Sequence, residues 1–146
     1  MHNGKSNIYL FNPTCEYAIA NGTVSWQPNR ILQKMEADLA TLPLFFAQPH
    51  DKVVVPQLPS KSYIEHLQKV GFEAPGFVLK ENLVAAKIDY PINKLLPWGW
   101  SPAAHKLFSP IKASCSTEFK ASPVFNWQTE YKDLYSKNLP AEFKKR

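Results

Sequence analysis

Three short apolar runs, separated by stretches with helical periodicity, constrain most strongly what this chain can fold into. The runs are Ile8–Phe11, Val53–Val55 and Gly76–Leu79, and prolines or polar turns bound them. Such runs indicate buried strands, and strands that alternate with helices through short connections imply parallel pairing with right-handed crossovers. The pattern predicts an α/β fold, a Rossmann-like three-layer sandwich with a mostly parallel sheet of about four strands.

The stretches between the runs have the spacing and punctuation of helices. From Asn29 to Leu42 apolar residues recur at helical spacing, and Pro43 interrupts the pattern. Ser60 is suited to cap a second helix, and Gly71 stands where a glycine commonly ends one. Two helices are therefore predicted between the first three strands, whereas residues 80–93 favour no assignment.

The most unusual composition follows a fourth predicted strand that ends at Leu96, where the chain reads Pro-Trp-Gly-Trp-Ser-Pro. Gly99 permits a sharp turn, and Ser101 followed by proline is typical of a helix start. This helix would begin at the same edge of the sheet as the segment after the first strand, which is expected to be a loop from Asn12 to Asn21. Since ligands of open α/β sheets bind beyond the carboxyl ends of the strands, both segments are candidate site regions.

The candidate ligand-binding residues are polar or aromatic side chains in those two segments, together with an arginine near the start of the first long helix. They are Asn12, Cys15, Glu16, Asn21, Arg30, Trp98, Trp100 and His105. Asn12 could equally close its own turn, the tryptophans are more often core or rim residues, and His105 is favoured as a helix-surface residue. Glu16 and Arg30 stay undecided. The four histidines and two cysteines lack metal-binding spacing, so no metal is expected.

Charge and cysteine usage narrow the function classes. The net charge is +5, but residues 1–73 carry six basic and six acidic side chains, so the excess lies in residues 74–146. A basic tail or solvated face is favoured over a nucleic-acid surface. Two distant cysteines without an apolar leader favour a reducing cytoplasm, and no apolar run is long enough to cross a membrane.

The length of 146 residues fits one domain. Residues 1–5 are expected to be disordered, and residues 6–125 to form the α/β domain. Residues 126–146 are expected to be a helical tail or connector, with a helix around Gln128–Lys137.

Several short motifs together carry a resemblance to a known family. They are Phe-Asn-Pro at 11–13, Ala-Ile-Ala-Asn at 18–21, Asp-Leu-Ala-Thr-Leu-Pro-Leu at 38–44, Pro-Trp-Gly-Trp at 97–100 and Lys-Asp-Leu-Tyr-Ser-Lys at 132–137. The chain resembles the N-terminal pre-ATP-grasp domain of an uncharacterised bacterial ATP-grasp-type family. The resemblance implies the same Rossmann-like fold, and a family activity of ATP-dependent ligation of a carboxylate to an amine or thiol through an acyl-phosphate.

The resemblance also implies how the work is divided between domains. ATP and magnesium would belong to an adjoining ATP-grasp domain, so no cofactor is expected in this chain, which alone should be catalytically silent. Thr14 and Cys15 stand where many relatives carry an acid and a histidine, so no catalytic residue is transferred. The leading hypothesis is a non-catalytic substrate-recognition or scaffold domain of a carboxylate ligase. Its partners would be an ATP-grasp domain or another copy of itself, with a small carboxylate or amine as substrate.

Two alternatives come from other functional classes. The first is a stand-alone interaction module that covers an exposed apolar surface with a second copy. The second is a small thiol-dependent hydrolase that uses Cys15, whose reactivity would require a lowered thiol pKa. A small, partly buried structural thiol is the favoured role for this cysteine.

Overall fold

A sheet of four parallel strands forms the centre of the fold, in a computed structural model that describes residues 5–85, 88–128, 130 and 132. The strands are β1 (Ser6–Leu10), β2 (Lys52–Val55), β3 (Gly76–Leu79) and β4 (Ile92–Pro97). Their order across the sheet is β3-β2-β1-β4, and every pair is parallel. The predicted α/β class and Rossmann-like three-layer architecture are confirmed.

Short helices connect and cover the strands. They are α1 (Cys15–Asn21), α2 (Arg30–Asp38), α3 (Lys61–Lys69), α4 (Lys80–Val84), α5 (Pro102–Phe108) and α6 (Thr117–Lys120), with 3₁₀ helices at Leu42–Phe45, Ser109–Ser114 and Pro123–Phe125. The predicted caps are confirmed, because Ser60 and Ser101 each accept a backbone N–H from the first turn of the helix that follows. Asn29 caps α2 in the same way. None of the helices in the described part of the chain is long and apolar enough to cross a membrane.

The structure differs from the sequence-based expectations at three places. The predicted loop from Asn12 to Asn21 is wrong beyond Thr14, because Cys15 begins α1, which ends at Gly22 in the left-handed conformation with φ of 77°. The first long helix ends at Asp38, earlier than predicted, and a separate 3₁₀ turn follows it. Helix α4 occupies part of the stretch without an assignment. Most of the predicted helix around residues 128–137, and residues 1–4, lie outside the described residues.

Side chains of successive strand residues alternate between two faces of the sheet, and both faces bury apolar groups. The first face carries Ile8, Leu10, Val54 and Val78, against which α4, α5 and α6 pack; further buried members include Leu83, Ile92, Leu95, Ala104, Phe108, Ile111, Cys115 and Phe119. The second face carries Tyr9, Val53, Val55, Phe77 and Leu79, with Ala40 and Ala47 against them. Because side chains alternate between the faces of a strand, a parallel sheet that is covered on both sides needs apolar residues on each of them.

Strand β4 contains one extra residue relative to its neighbour. Ser6 pairs with Ile92 and Ile8 pairs with Leu95, so Asn93 and Lys94 stand opposite a single residue of β1. This bulge lets Ile92 and Leu95 both reach the first face although they are three positions apart. The carbonyl of Asn93 accepts hydrogen bonds from the backbone N–H and the hydroxyl of Ser116.

A fully buried carboxylate fixes the amino edge of the sheet. Asp51, just before β2, accepts the backbone N–H of Asn7 at 3.0 Å and that of Gln48 at 2.9 Å. Its own carbonyl accepts from the backbone N–H of Gly76. Asp51 therefore links the starts of β1, β2 and β3, and we assign it a structural role.

Candidate functional site

The strand order places a topological switch point between β1 and β4. From β1 the chain proceeds to β2 and β3 on one side, and it returns to place β4 on the other side of β1. In open α/β sheets the crevice beyond the carboxyl ends of two such strands is the usual ligand site. The segments that border this crevice are Phe11–Thr14 after β1 and Trp98–Ser101 after β4.

Asn12 joins the two segments across the switch point. Its Nδ2 donates to the carbonyl of Gly99 at 2.9 Å, and its Oδ1 accepts from the N–H of Gly99 at 3.1 Å. The backbone N–H of Trp98 donates to the carbonyl of Leu10 at 2.7 Å. The side-chain amide of Asn12 therefore binds a segment 87 positions away instead of closing its own turn.

Cys15 occupies the space that a side chain at position 99 would need, so only glycine fits there. A Cβ built on Gly99 would lie 2.3 Å from Sγ and 2.8 Å from Cβ of Cys15, far inside van der Waals contact. The thiol is buried by this packing, and burial, followed by the charge of Glu16, raises its pKa. Cys15 is therefore held as the neutral thiol, which is a poor nucleophile.

A cavity of about 790 Å³ opens beside this junction. Its floor contains residues at or after the carboxyl ends of the strands, among them Leu10, Asn12 and Val55. The segment between α1 and α2, from Val24 to Pro28, contributes a further wall that includes the half-buried Trp26. The size suits a small organic molecule. We call this space the edge cavity.

The charged groups of the edge cavity are two lysines and one glutamate. The carboxylate of Glu36 accepts hydrogen bonds from the backbone N–H and the hydroxyl of Thr14, so a residue of α2 is bound at the start of α1. Lys80 and Lys106 are exposed, and within the described chain neither ammonium group has an ion-pair partner. The cavity thus combines apolar walls with two cations that are free to meet an anionic ligand group.

The structure brings only part of the predicted site together. Asn12 and Cys15 line the edge cavity, whereas Glu16, Asn21 and Arg30 are exposed and lie outside its lining. The two tryptophans separate. Trp98 is 61% exposed and packs edge-to-face on Phe11, and Trp100 is half-buried against the first face.

The expectation of a helix-surface position for His105 is wrong, because the side chain is only 8% exposed. Its ring lies against Trp100 with a centroid distance of 4.6 Å, and its Nδ1 is 2.9 Å from Nζ of Lys112. Burial, followed by the charge of Lys112, lowers the pKa of His105 to about 4. The imidazole is therefore neutral near pH 7.

Sequence reasoning missed most of the side chains that line the edge cavity, among them the aromatic and charged residues Trp26, Glu36, Lys80 and Lys106. The strand-end rule that selected Asn12 applies equally to Lys80, which follows β3 directly. Trp26, Glu36 and Lys106 carry no comparable local signal, since their place at the cavity depends on how α2 and α5 pack. Among residues 5–85, 88–128, 130 and 132, no three metal-ligating side chains come together.

Comparison with protein-family models, with curated proteins and with solved structures finds no match to this chain. The geometry of the edge cavity and the motif resemblance are therefore the basis for proposing a function.

Proposed function

We propose that this α/β domain is the non-catalytic substrate-recognition or scaffold domain of an ATP-grasp-type carboxylate ligase. The observation that carries the proposal is the edge cavity, which lies beyond the carboxyl ends of β1 and β2 and is lined by Phe11 and Asn12 of the Phe-Asn-Pro motif. Asn12 is in turn hydrogen-bonded to Gly99 of the Pro-Trp-Gly-Trp motif. Both motifs are among those on which the family resemblance depends. The proposal places substrate binding here and the chemistry in an adjoining ATP-grasp domain, which would hold ATP and magnesium.

The chemistry of the cavity supports recognition without catalysis. Its walls are largely apolar, and Lys80 and Lys106 can meet the carboxylate of a small substrate. The carboxylate of Glu36 is engaged by Thr14, and burial holds Cys15 as a neutral thiol. For that reason we favour binding over the thiol-hydrolase alternative. Both cysteines are free, which suits the reducing cytoplasm that the proposal assigns to the protein.

A neutral fluorescent probe tests the cavity directly. N-phenyl-1-naphthylamine is expected to bind the 146-residue chain saturably, with enhanced emission. Ala37 lines the cavity from α2, so Ala37→Trp should fill the space and abolish binding. Lys34→Trp, on the exposed side of the same helix and outside the lining, is the matched control and should bind like the parent chain. Equal binding by both variants would remove the edge cavity as a ligand site.

The size of the native polypeptide tests the ligase assignment separately. An antibody raised against these residues, applied to a lysate of the source cell, should detect a band well above 16.6 kDa, because the proposal requires an adjoining domain. A band at 16.6 kDa, together with no co-purifying ATP-grasp protein, would contradict it.

The second candidate is a self-associating interaction module, and one observation favours it. Ile31, Met35 and Leu39 form a stripe along α2 at helical spacing, with exposures of 81%, 37% and 38%. Helix α2, every residue of which the structure describes, contains no buried side chain. A stripe of this kind on a helix is stabilised when another apolar surface covers it.

Charge complementarity favours a second copy as the occupant of this stripe. Arg30 and Lys34 lie along one flank near the amino end of α2, and Asp38 lies on the same flank near the carboxyl end. In an antiparallel pair of α2 helices, Arg30 of one chain would meet the partner's Asp38, which also pairs with Lys34 of its own helix at 3.0 Å. The two apolar stripes would then face each other. The arrangement is symmetric, so each contact occurs twice.

Light scattering tests this second candidate. The chain should form a dimer that Ile31→Asp dissociates, because the substitution puts a carboxylate in the apolar stripe. Val70→Asp is the matched control, since Val70 is 67% exposed just after α3, away from the stripe. A double variant that carries both Arg30→Asp and Asp38→Arg exchanges the two charges and should keep the dimer. Either substitution alone should weaken it. A parent chain that stays monomeric at all concentrations would exclude the module.

A further inference from the structure

A second cavity, of about 940 Å³, lies next to the edge cavity, with Val24, Lys106 and Ser109 lining both. Its other walls come from the turn after α1, from the first turn of α5 and from the segment that contains Asn126 and Trp127. We call it the lysine cavity. It lies outside the strand-end crevice, and of its lining only Lys106 enters the proposals above.

The charge of the lysine cavity is entirely positive within the described residues. Lys106 and Lys112 line it and no aspartate or glutamate does. The remaining polar lining comes from hydroxyl and amide side chains such as Ser25 and Asn126. Two cations without a carboxylate beside them produce a positive potential that an anion can neutralise.

Lys112 is held in place, and its contacts leave its charge uncompensated. The ammonium group donates to the carbonyl of Phe125 and lies 5.7 Å from the ring centroid of Trp100 and 5.1 Å from that of Phe125. In the part of the chain that the structure describes, Lys112 has no carboxylate partner. Burial lowers the pKa of this amine, because a partly desolvated cation without a counterion is unfavourable. A bound anion would relieve that cost.

His105 supplies a buried donor at the same place. An ammonium group can only donate, so the contact between Lys112 and Nδ1 makes Nδ1 the acceptor and leaves the ring proton on Nε2. That Nε2 is buried and has no hydrogen-bond partner. The neutral imidazole therefore keeps an N–H group without a partner inside the fold, next to the cavity that the residue helps to line.

We infer that the lysine cavity binds a small oxyanion, a carboxylate or a phosphate group, with Lys106 and Lys112 as its charge partners beside the neutral ring of His105. Lys106, which lines both cavities, would lie between the oxyanion and any ligand of the edge cavity. The inference does not depend on ligand binding in the edge cavity.

Nuclear magnetic resonance of the 146-residue chain tests the inference through His105. Inorganic phosphate and acetate are titrated separately against sodium chloride of the same ionic strength, and the ring signals of His105 are assigned with His105→Gln. Either anion should shift these signals saturably, because it neutralises the charge beside Nδ1, and should raise the pKa of His105. The signals of His66, exposed on α3, should not move.

Lysine variants separate a specific site from general screening. Lys106→Gln changes an exposed residue, so the fold is preserved, and it should weaken anion binding about tenfold by removing one charge-assisted contact. Lys69→Gln, an exposed lysine of α3 away from the cavity, should bind like the parent chain. Tighter binding of phosphate than acetate would identify a phosphate-bearing ligand, and the reverse order a carboxylate. Shifts that chloride reproduces, or that Lys106→Gln leaves unchanged, would overturn the inference.

Discussion

The two faces of the sheet use the same alternating strands but are covered very differently. On the first face, helices α4, α5 and α6 bury a continuous cluster in which Phe108 is 0% exposed. On the second face the cover is thin, and Phe46, whose ring packs edge-to-face on Tyr9, is 52% exposed. Apolar burial is the main source of folding free energy. The comparison teaches that the first face supplies most of the stability, whereas the second face retains apolar area that association could bury.

The largest loss of stability is expected for a substitution in the closed cluster of the first face. Phe108→Ala should lower the free energy of unfolding by about 3–5 kcal/mol, because it removes a ring from a closed cluster and leaves a cavity. Phe46→Ala, the matched substitution on the second face, should cost less than about 1 kcal/mol. Chemical denaturation of both variants measures the difference. Similar losses would show that the two faces contribute equally.

A smaller loss of stability is expected at the contact between Cys15 of α1 and Gly99. It tests whether the packing of α1 contributes to the stability of the first face. Gly99→Ala should cost about 2–3 kcal/mol, because the new methyl group overlaps the thiol and backbone-bound Cβ of Cys15. Gly76→Ala is the control, since its methyl group meets only the flexible side chain of Lys52. Thermal unfolding compares the two. Cys15→Gly should restore part of the stability lost in Gly99→Ala, and its failure to do so would place the strain elsewhere.

Acid should weaken the first face through His105. The pKa of this histidine is about 4 in the folded chain and 6.5 as a free side chain, so the unfolded chain binds the proton more readily between these values. Stability is therefore full above pH 6.5 and falls as the pH is lowered toward 4, by about 2 kcal/mol at pH 5. Denaturant unfolding at pH 7.5 and pH 5 measures the loss. His105→Gln should lack this component, and an equal pH dependence in both chains would contradict the assignment.

The smallest of these effects is expected at the exposed apolar stripe of α2. Ile31→Ser removes a side chain that is 81% exposed on α2, so the free energy of unfolding of the monomer should change by less than about 0.5 kcal/mol. The measurement is denaturant unfolding at concentrations where light scattering reports a monomer. A larger loss would mean that α2 already has its apolar stripe covered within one chain.

Features that depend on neighbouring residues could be predicted from the sequence. The strands and the caps of α2, α3 and α5 follow from apolar runs and from Asn29, Ser60 and Ser101, which act within a few positions. Helix α1 was not predicted, because its buried residues number only Cys15, Ala18 and Ile19 and a proline precedes it. Three residues give too little periodicity to indicate a helix.

The site was harder to predict because its contacts are distant in sequence. Asn12 binds Gly99, and the burial of His105 depends on Lys112 and Trp100. Two of the candidates that the strand-end rule selected, Asn12 and Cys15, line the edge cavity. The rule could not indicate which side chains turn toward that cavity, and the family resemblance stays a prediction.

The bulge in β4 has a consequence for how the chain tolerates changes in length. Ile92 and Leu95 flank two residues where β1 has one, and plain alternation from Ile92 would direct the exposed Lys94 toward the first face. Loss of Lys94 would restore simple alternation and keep Leu95 opposite Ile8. The edge strand next to the switch point is thus one residue longer than its pairing requires, and evolution can shorten it there without exchanging the inward and outward residues of the sheet.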